Sequence, residues 1–336
     1  MIKPAITKIE YFIPENDYSV SKIIDNKNKE YFNKIINKTG IDTKYKVNEG
    51  EDSTNLAISC IKKMFKSNRN EINEIDFVIY CNQTPTYMLP MSSSIIQKEI
   101  FERNDIGFID ISSGCSGYIY SLSLAYSLIK SESYKKILLI TSDTYSKIID
   151  KSDTTNLCIF GDGASTSIIE NTSEISGKNY YNFDLGCDGS GIHDLYLPNS
   201  GISAYDMKLD KKSLVMNGTN VFSFAIKTVP VTIYKCLKLN GLDILDIDYF
   251  VLHQANRYIL ETIRNKLNIS PKKFIIDLRF GNTTSSSIPI ALKNLIKENN
   301  VKKTDKVLIC GFGVGLSWGT AIIELNDGLI KFIKQN

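Results

Sequence analysis

The 336-residue chain holds little histidine and tryptophan, two and one residues respectively, and its seven cysteines never pair as C-x-x-C. Scattered thiols with so few imidazoles supply neither the ligand spacing of a zinc site nor the even count of a disulfide framework. The odd cysteine count and the size of the chain fit a reducing compartment, so a cytoplasmic protein is expected. No segment reaches 18 consecutive apolar residues, and MIKPAITKIEYFIPEND at the start lacks the basic-then-apolar order of a signal segment. Neither a membrane nor an export route is therefore expected. An excess of one charge is missing too: 40 Lys and Arg stand against 37 Asp and Glu, and nucleic acid is not implied as a partner. What remains, 43% apolar and 23% charged, suits a globular chain of two domains of about 100 to 200 residues each.

The chain repeats itself. INEIDFVIYCNQ at 72–83 corresponds to ILDIDYFVLHQA at 244–255, and DISSGCSGYIYSLSLAYSLIK from Asp110 pairs with DLRFGNTTSSSIPIALKNLIK from Asp277. KKILLI from Lys135 echoes DKVLIC from Asp305, and ASTSIIE from Ala164 echoes WGTAIIEL from Trp318. Two halves with the same order of strand, helix, strand, helix and strand imply a duplicated α/β unit, each a mostly parallel sheet with helices on its faces. The polar stretch NTSEISGKN at 171–179 suits a boundary, giving domains 1–172 and 173–336. In the first half, alternation over Ile2 to Phe12 predicts a strand and Ser19 to Ile36 a helix ending near Thr39 and Gly40. Ser53 to Phe65 reads as a helix capped by Ser53 or Thr54, and IDFVIYCN at 75–82 as a buried strand.

Cys115 falls at a strand-to-helix junction, in SSGCSG. The unpaired N–H groups and positive dipole end of a helix start favour a thiolate, so this thiol is expected to titrate below the usual value of about 8.5. A compact core cysteine among small residues is the bland alternative. The repeat sets Asn282 opposite Cys115, and sets His253, at the end of VLH, opposite Cys81. Ligands of open α/β sheets collect beyond the carboxyl ends of the strands, so a pseudo-twofold would bring the three into one pocket. A structural histidine and a turn or cap asparagine are the competing readings, and a Cys, His and Asn set also serves papain-like hydrolysis. The glycines of CGFGVGLSWG at 310–319 let backbone N–H groups approach a ligand, as an oxyanion hole or, in competition, a phosphate loop. No Lys-Ser or Lys-Thr follows them, as a phosphate loop requires.

With IPEN, KTGI, SSGCSG, FGDGA, DGSGIHDLYLPN, HQAN, FGNTTSSS and GFGVGLSWG, nearly the whole chain resembles the ketoacyl-acyl-carrier-protein synthase III family of the thiolase superfamily. The resemblance implies a thiolase-like α/β fold, duplicated βαβαβαββ halves in a five-layered α/β/α/β/α architecture. It implies that Cys115 takes an acyl group from an acyl thioester, and that malonyl-acyl-carrier protein then condenses with it as carbon dioxide leaves. His253 and Asn282 would hold the enolate oxygen, and the N–H groups of Cys115 and Val314 the tetrahedral oxyanion. Leu89, Phe222, Asn256 and Gly313 are implied as substrate-binding residues, with Leu89 reaching into the other subunit of a homodimer. No cofactor and no metal is implied beyond the thioester substrates.

Departures from the family pattern bear on the donor. Lys34 and Lys38 stand where members that accept coenzyme A carry Trp and Arg. Lysine does not stack on adenine and grips phosphate as a point charge, so an acyl carrier protein is a fair substitute donor. Arg257, Arg264 and Lys266 are implied as a carrier-protein contact, Tyr258 standing where an arginine is usual. Val314 replaces a glycine, and its isopropyl group narrows the pocket; His193 is expected to be structural. Other readings of the same residues are acyl transfer to a hydroxyl or amine without condensation, and a non-catalytic binding protein on the thiolase fold. Type III polyketide synthases share the Cys, His and Asn. A hydroxymethylglutaryl synthase would want a glutamate near residues 81 to 87, where CNQTPTY has none.

Overall fold

A computed structural model describes residues 2–23, 29–172, 180–198, 200–202 and 213–336. Of the expected boundary stretch 171–179, residues 173–179 lie outside the described residues. The longer strands and those that complete the two large sheets are β1 (Pro4–Phe12), β2 (Phe77–Cys81), β3 (Gly107–Ile111), β4 (Lys136–Asp143), β5 (Gly163–Asn171), β6 (Asp184–Cys187), β7 (Tyr249–Leu252), β8 (Phe274–Ile275), β9 (Lys306–Gly313) and β10 (Ser317–Glu324). The longer helices are α1 (Lys29–Thr39), α2 (Ser53–Met64), α3 (Ser93–Ile100), α4 (Gly117–Lys130), α5 (Gly218–Asn240), α6 (Arg257–Lys266), α7 (Ser287–Glu298) and α8 (Asp327–Gln335).

Two five-stranded sheets run in the orders β3-β2-β4-β5-β1 and β8-β7-β9-β10-β6. Position by position they match. The pairs β2–β3 and β2–β4 are parallel while β4–β5 and β5–β1 are antiparallel, and β7–β8, β7–β9, β9–β10 and β10–β6 repeat that pattern. The duplication read in the sequence is thus a duplication of topology. Each sheet is mixed, however, rather than mostly parallel: β4–β5 and β9–β10 are antiparallel neighbours, and in the second half Val314–Leu316 alone joins the two strands, a connection that only antiparallel pairing allows.

Between the sheets lie α4 and α7, each in contact with strands of both. GYIYSLSLAYSLIK carries no charge before its last residue, as a helix covered on both sides requires. Tyr118, Leu122 and Ala125 of α4 meet Ile288, Ala291 and Leu292 of α7 in one core with Ile79, Ile137, Val251 and Ile309 from the strands. Each fully buried Ile or Leu there contributes about 1.5–3 kcal/mol. One charge enters this layer: Lys293 is 4% exposed and donates to Glu10 at 2.6 Å, so the buried ammonium is paired. On the outer faces, α2 covers the first sheet and α5, backed by α6, the second, completing five layers.

The predicted strands and the α2 helix form where their periodicity placed them. Its cap is Asp52 rather than Ser53 or Thr54: the carboxylate accepts from the Thr54 and Asn55 N–H groups, and Asn55 reaches back to the Asp52 N–H. The stretch from Ser19 to Ile36 divides into a short helix at Val20–Ile23 and α1, with 24–28 outside the described residues. No described helix is long and apolar enough to cross a membrane.

Candidate active site

Three strand ends and one turn build the site. Cys115 follows β3 in the turn that opens α4, where the Gly117 N–H donates to the Gly114 carbonyl at 2.7 Å. His253 follows β7 directly, and its N–H bonds the Cys310 carbonyl of neighbouring β9 at 2.8 Å. Asn282 sits in the turn before α7 and is fixed by the other half of the molecule: its N–H donates to the Ile159 carbonyl at 2.9 Å and its carbonyl accepts from Gly161 at 3.0 Å. Gly281, at φ +72°, is the one position of that turn in the left-handed glycine region before Asn282, and a Cβ there would lie 2.9 Å from the Ile159 oxygen. β9 delivers Phe312 and Gly313. A Cβ on Gly313 would stand 2.9 Å from the Cys115 sulfur, so only glycine leaves room beside the thiol.

Cys115, His253, Asn282, Phe312 and Gly313 line one cavity of about 520 Å³. Burial pushes the Cys115 thiol up to about 12, with Asp143 acting in the same direction; the backbone N–H groups of Val314 and of Cys115 itself oppose it. The low thiol value expected from the helix start is corrected accordingly: at a site 4% exposed, desolvation outweighs the helix end. The two opposing N–H groups are those expected to form an oxyanion hole, and both act on the Cys115 sulfur. His253 is also buried, which holds its ring down at about 3 despite the Thr284 backbone, so it is a neutral imidazole at physiological pH. Its Nδ1 lies 2.7 Å from the Ser287 Oγ, which accepts from the Gln254 N–H at 3.2 Å. A hydroxyl that accepts from a backbone amide still has its own proton to give to Nδ1, and in that tautomer Nε2–H is the ring's donor. Asn282 Oδ1 accepts from the Thr284 N–H at 3.0 Å, which frees the Nδ2 protons for a ligand.

Across the halves, Asp143 at the end of β4 accepts from the Gln83 N–H at 2.8 Å, Thr84 Oγ1 at 3.0 Å and Thr284 Oγ1 at 2.6 Å. Burial pushes its carboxyl up to about 6 against those hydrogen bonds.

Comparison with known proteins settles the kinship. The family model described as 3-oxoacyl-[acyl-carrier-protein] synthase III matches residues 109–189, and its C-terminal counterpart matches 237–325. A beta-ketoacyl-[acyl-carrier-protein] synthase III of Clostridium tetani is 34% identical over 92% of this chain and 93% of its own; one of Clostridium novyi is 35% identical over 94% and 97%. The chain belongs to the 3-oxoacyl-[acyl-carrier-protein] synthase III family. A crystal structure of a 3-oxoacyl-(acyl-carrier-protein) synthase III superposes with a TM-score of 0.88 at 32% identity, over 96% of this chain and all of that one. The Thermus thermophilus enzyme gives 0.86 at 28% identity over 96% and 99%. The thiolase-like fold of that family is the fold seen here.

Within this synthase III site the other expected residues divide. Phe222 and Asn256 line the cavity, and the Phe222 ring stacks on Tyr258 at 5.2 Å and 17°. Lys38 lines it too, 5.1 Å from the Tyr258 ring, whereas Lys34 lies exposed in an ion pair with Glu30. Leu89 is 85% exposed on the loop after β2 and is not among the lining residues. Arg257 and Lys266 are exposed and Arg264 is half-buried, all three on α6 outside the cavity lining. The Arg257 side chain lies against Gly40, Arg264 reaches the Ile269 carbonyl at 3.4 Å, and Lys266 the Ile226 carbonyl at 3.0 Å. His193 stands off the cavity with its ring 5.1 Å from that of Tyr196. Sequence reasoning missed Gln83, Asp143, Thr284 and Ser287. Only the polar run TTSSS, buried throughout, carried a signal, since buried hydroxyls in series need partners.

Proposed function

We propose that the chain condenses an acyl group with a malonyl-acyl-carrier protein, releasing carbon dioxide and a 3-oxoacyl-acyl-carrier protein. The observation that carries this reading is the single cavity shared by Cys115, His253 and Asn282. In the first step the Cys115 sulfur attacks the thioester carbonyl, its proton passes to the departing thiolate, and the acyl group remains on sulfur. A thiol held near 12 does not wait as a thiolate, so deprotonation accompanies attack. In the second step the bond to the malonyl carboxylate breaks, carbon dioxide leaves, and its electron pair becomes an enolate. His253 Nε2–H and Asn282 Nδ2–H donate to the enolate oxygen; both are neutral donors, suited to charge that appears only as the reaction proceeds. The enolate carbon then attacks the acyl carbonyl, whose oxygen takes the N–H groups of Cys115 and Val314. Collapse expels the Cys115 thiolate, which takes up a proton. Gly313, Phe222 and Asn256 would flank the thioester arm, and the chemistry needs no cofactor beyond the two thioesters.

An acyl carrier protein is the partner this reading requires, and the relatives' names support it. A homodimer is supported by β3, whose outer edge is unpaired among the described residues, and by exposed Tyr87, Met88, Leu89, Met91 and Ile109 around it. That loop is tied beside β3 by the Ser93 N–H on the Asp110 carboxylate at 3.3 Å. Seven unpaired cysteines, six of them buried, suit a reducing cytoplasm. The loading step is tested by incubating the protein with acyl thioesters and weighing it intact. An acyl mass increment that maps to Cys115 is the expected result; an unmodified protein with every donor contradicts the reading.

A further inference from the structure

Beside the Cys115 turn lies a polar pair that the condensation does not use. Gln83, on the loop after β2, presses its carboxamide against Gly114: a Cβ added there would stand 2.3 Å from Gln83 Oε1 and 2.4 Å from Val314 Cγ1. The two side chains thus bracket the residue preceding the nucleophile, one polar and one apolar. Gln83 does not hang free. Its N–H is fixed on Asp143 at 2.8 Å, and its Oε1 accepts from the Tyr145 hydroxyl at 2.6 Å. Tyr145 is 3% exposed and packs on Phe160, itself a wall of the catalytic cavity, with ring centroids 4.9 Å apart. With Oε1 so occupied, the Nε2 amide keeps two protons, and among the described residues no acceptor takes them. Gln83 is half-buried and its amide protons stay within reach of solvent, so a bound molecule that covers them loses affinity unless it offers an acceptor in place of water.

Resting on the condensing reading above, we infer that Gln83 is a specificity residue for the acyl group on Cys115. It selects a short acyl chain that bears a hydroxyl or carbonyl oxygen within its first few carbons. The Nε2–H donates to that oxygen, Tyr145 holds the carboxamide in register from behind, and Val314 limits the chain on its other side.

The test compares butanoyl, 3-hydroxybutanoyl and 4-hydroxybutanoyl pantetheine thioesters as donors, reading the initial rate of adduct formation on Cys115 by intact mass. At least one hydroxyacyl donor is expected to load faster than butanoyl, by about tenfold for one satisfied hydrogen bond. Gln83→Met, close in volume but without donors, is expected to erase that ratio. Tyr145→Phe, which leaves the carboxamide unheld, should reduce it by less, and thermal unfolding of both variants reports whether the fold survives. Butanoyl loading as fast as both hydroxyacyl donors in the native protein overturns the inference whatever the variants do. So does a ratio unchanged in folded Gln83→Met. Loading of all three at equal rates removes only the role of Gln83, whereas no adduct from any donor removes the condensing reading as well.

Discussion

The two halves carry the same five-strand order and the same mixture of parallel and antiparallel pairs, yet their equivalent positions hold different chemistry. Where the first half has Cys81 at the end of β2 and Cys115 before α4, the second has His253 after β7 and Asn282 before α7. One scaffold therefore sets a thiol on one side and an imidazole and a carboxamide on the other, in the proposed roles of nucleophile and neutral donors, and the pseudo-twofold supplies their convergence. The edges differ as well. β3 pairs along five residues with β2 and leaves an apolar outer edge, whereas its counterpart β8 is two residues long. A two-residue edge offers too few backbone groups to recruit another strand, whereas the five-residue edge of β3 leaves its outer backbone groups unpaired among the described residues.

If the halves divide the labour, variants in each should fail at different steps. The largest effect is expected from Cys115→Ala, which removes the only atom that becomes acylated: intact mass should show no adduct with any donor. His253→Ala or Asn282→Ala should leave loading in place and slow carbon dioxide release from malonyl-carrier protein by about 10²–10³-fold, the usual loss for one charge-stabilising donor. Equal failure of loading in these variants would break the comparison. Ser287→Ala, which frees the His253 Nδ1, should slow decarboxylation by about tenfold through loss of one hydrogen bond, with loading again preserved.

The smallest effect is on stability against pH. The folded His253 pKa lies near 3, below its usual 6.5, so its contribution is complete above 6.5 and is lost as pH falls through that interval. Asp143 runs the other way. Its folded value near 6 exceeds 3.8, so its contribution is complete below 3.8 and lost as pH rises through 6. The two slopes oppose each other where the intervals overlap. Replacing His253 by Gln removes one of them, and the melting temperature of that variant should drop less than the native protein's between pH 7 and 5. A steeper drop would contradict the assignment of a neutral buried imidazole.

The sequence carried the duplication because strands and helices have periods: INEIDFVIY and ILDIDYFVL match as apolar runs, and each was found as a central strand. It also brought Cys115, His253 and Asn282 to one place, since equivalent points of two related halves meet at the axis. It hid whatever depends on side chains far apart in sequence. Thr284 reaches Asp143 across 141 residues, and Tyr145 reaches Gln83 across 62. Such contacts leave no spacing to read. The height of the Cys115 pKa was hidden for a related reason: the local turn promises a helix dipole, while burial comes from Gly311, Gly313 and their strand in the other half. A Cβ on Gly311 would sit 2.6 Å from the Cys115 carbonyl.

The central claim is that both halves act on one acyl group in sequence, and a single turnover tests it. Protein acylated at Cys115 and freed of donor is mixed with malonyl-acyl-carrier protein, and adduct, carbon dioxide and carrier are followed together by mass spectrometry. The account predicts that loss of the adduct, release of carbon dioxide and appearance of 3-oxoacyl carrier proceed at one rate and in equal amounts. Loss of the adduct as free acid, or its transfer to the carrier with the malonyl carboxylate intact, would contradict it.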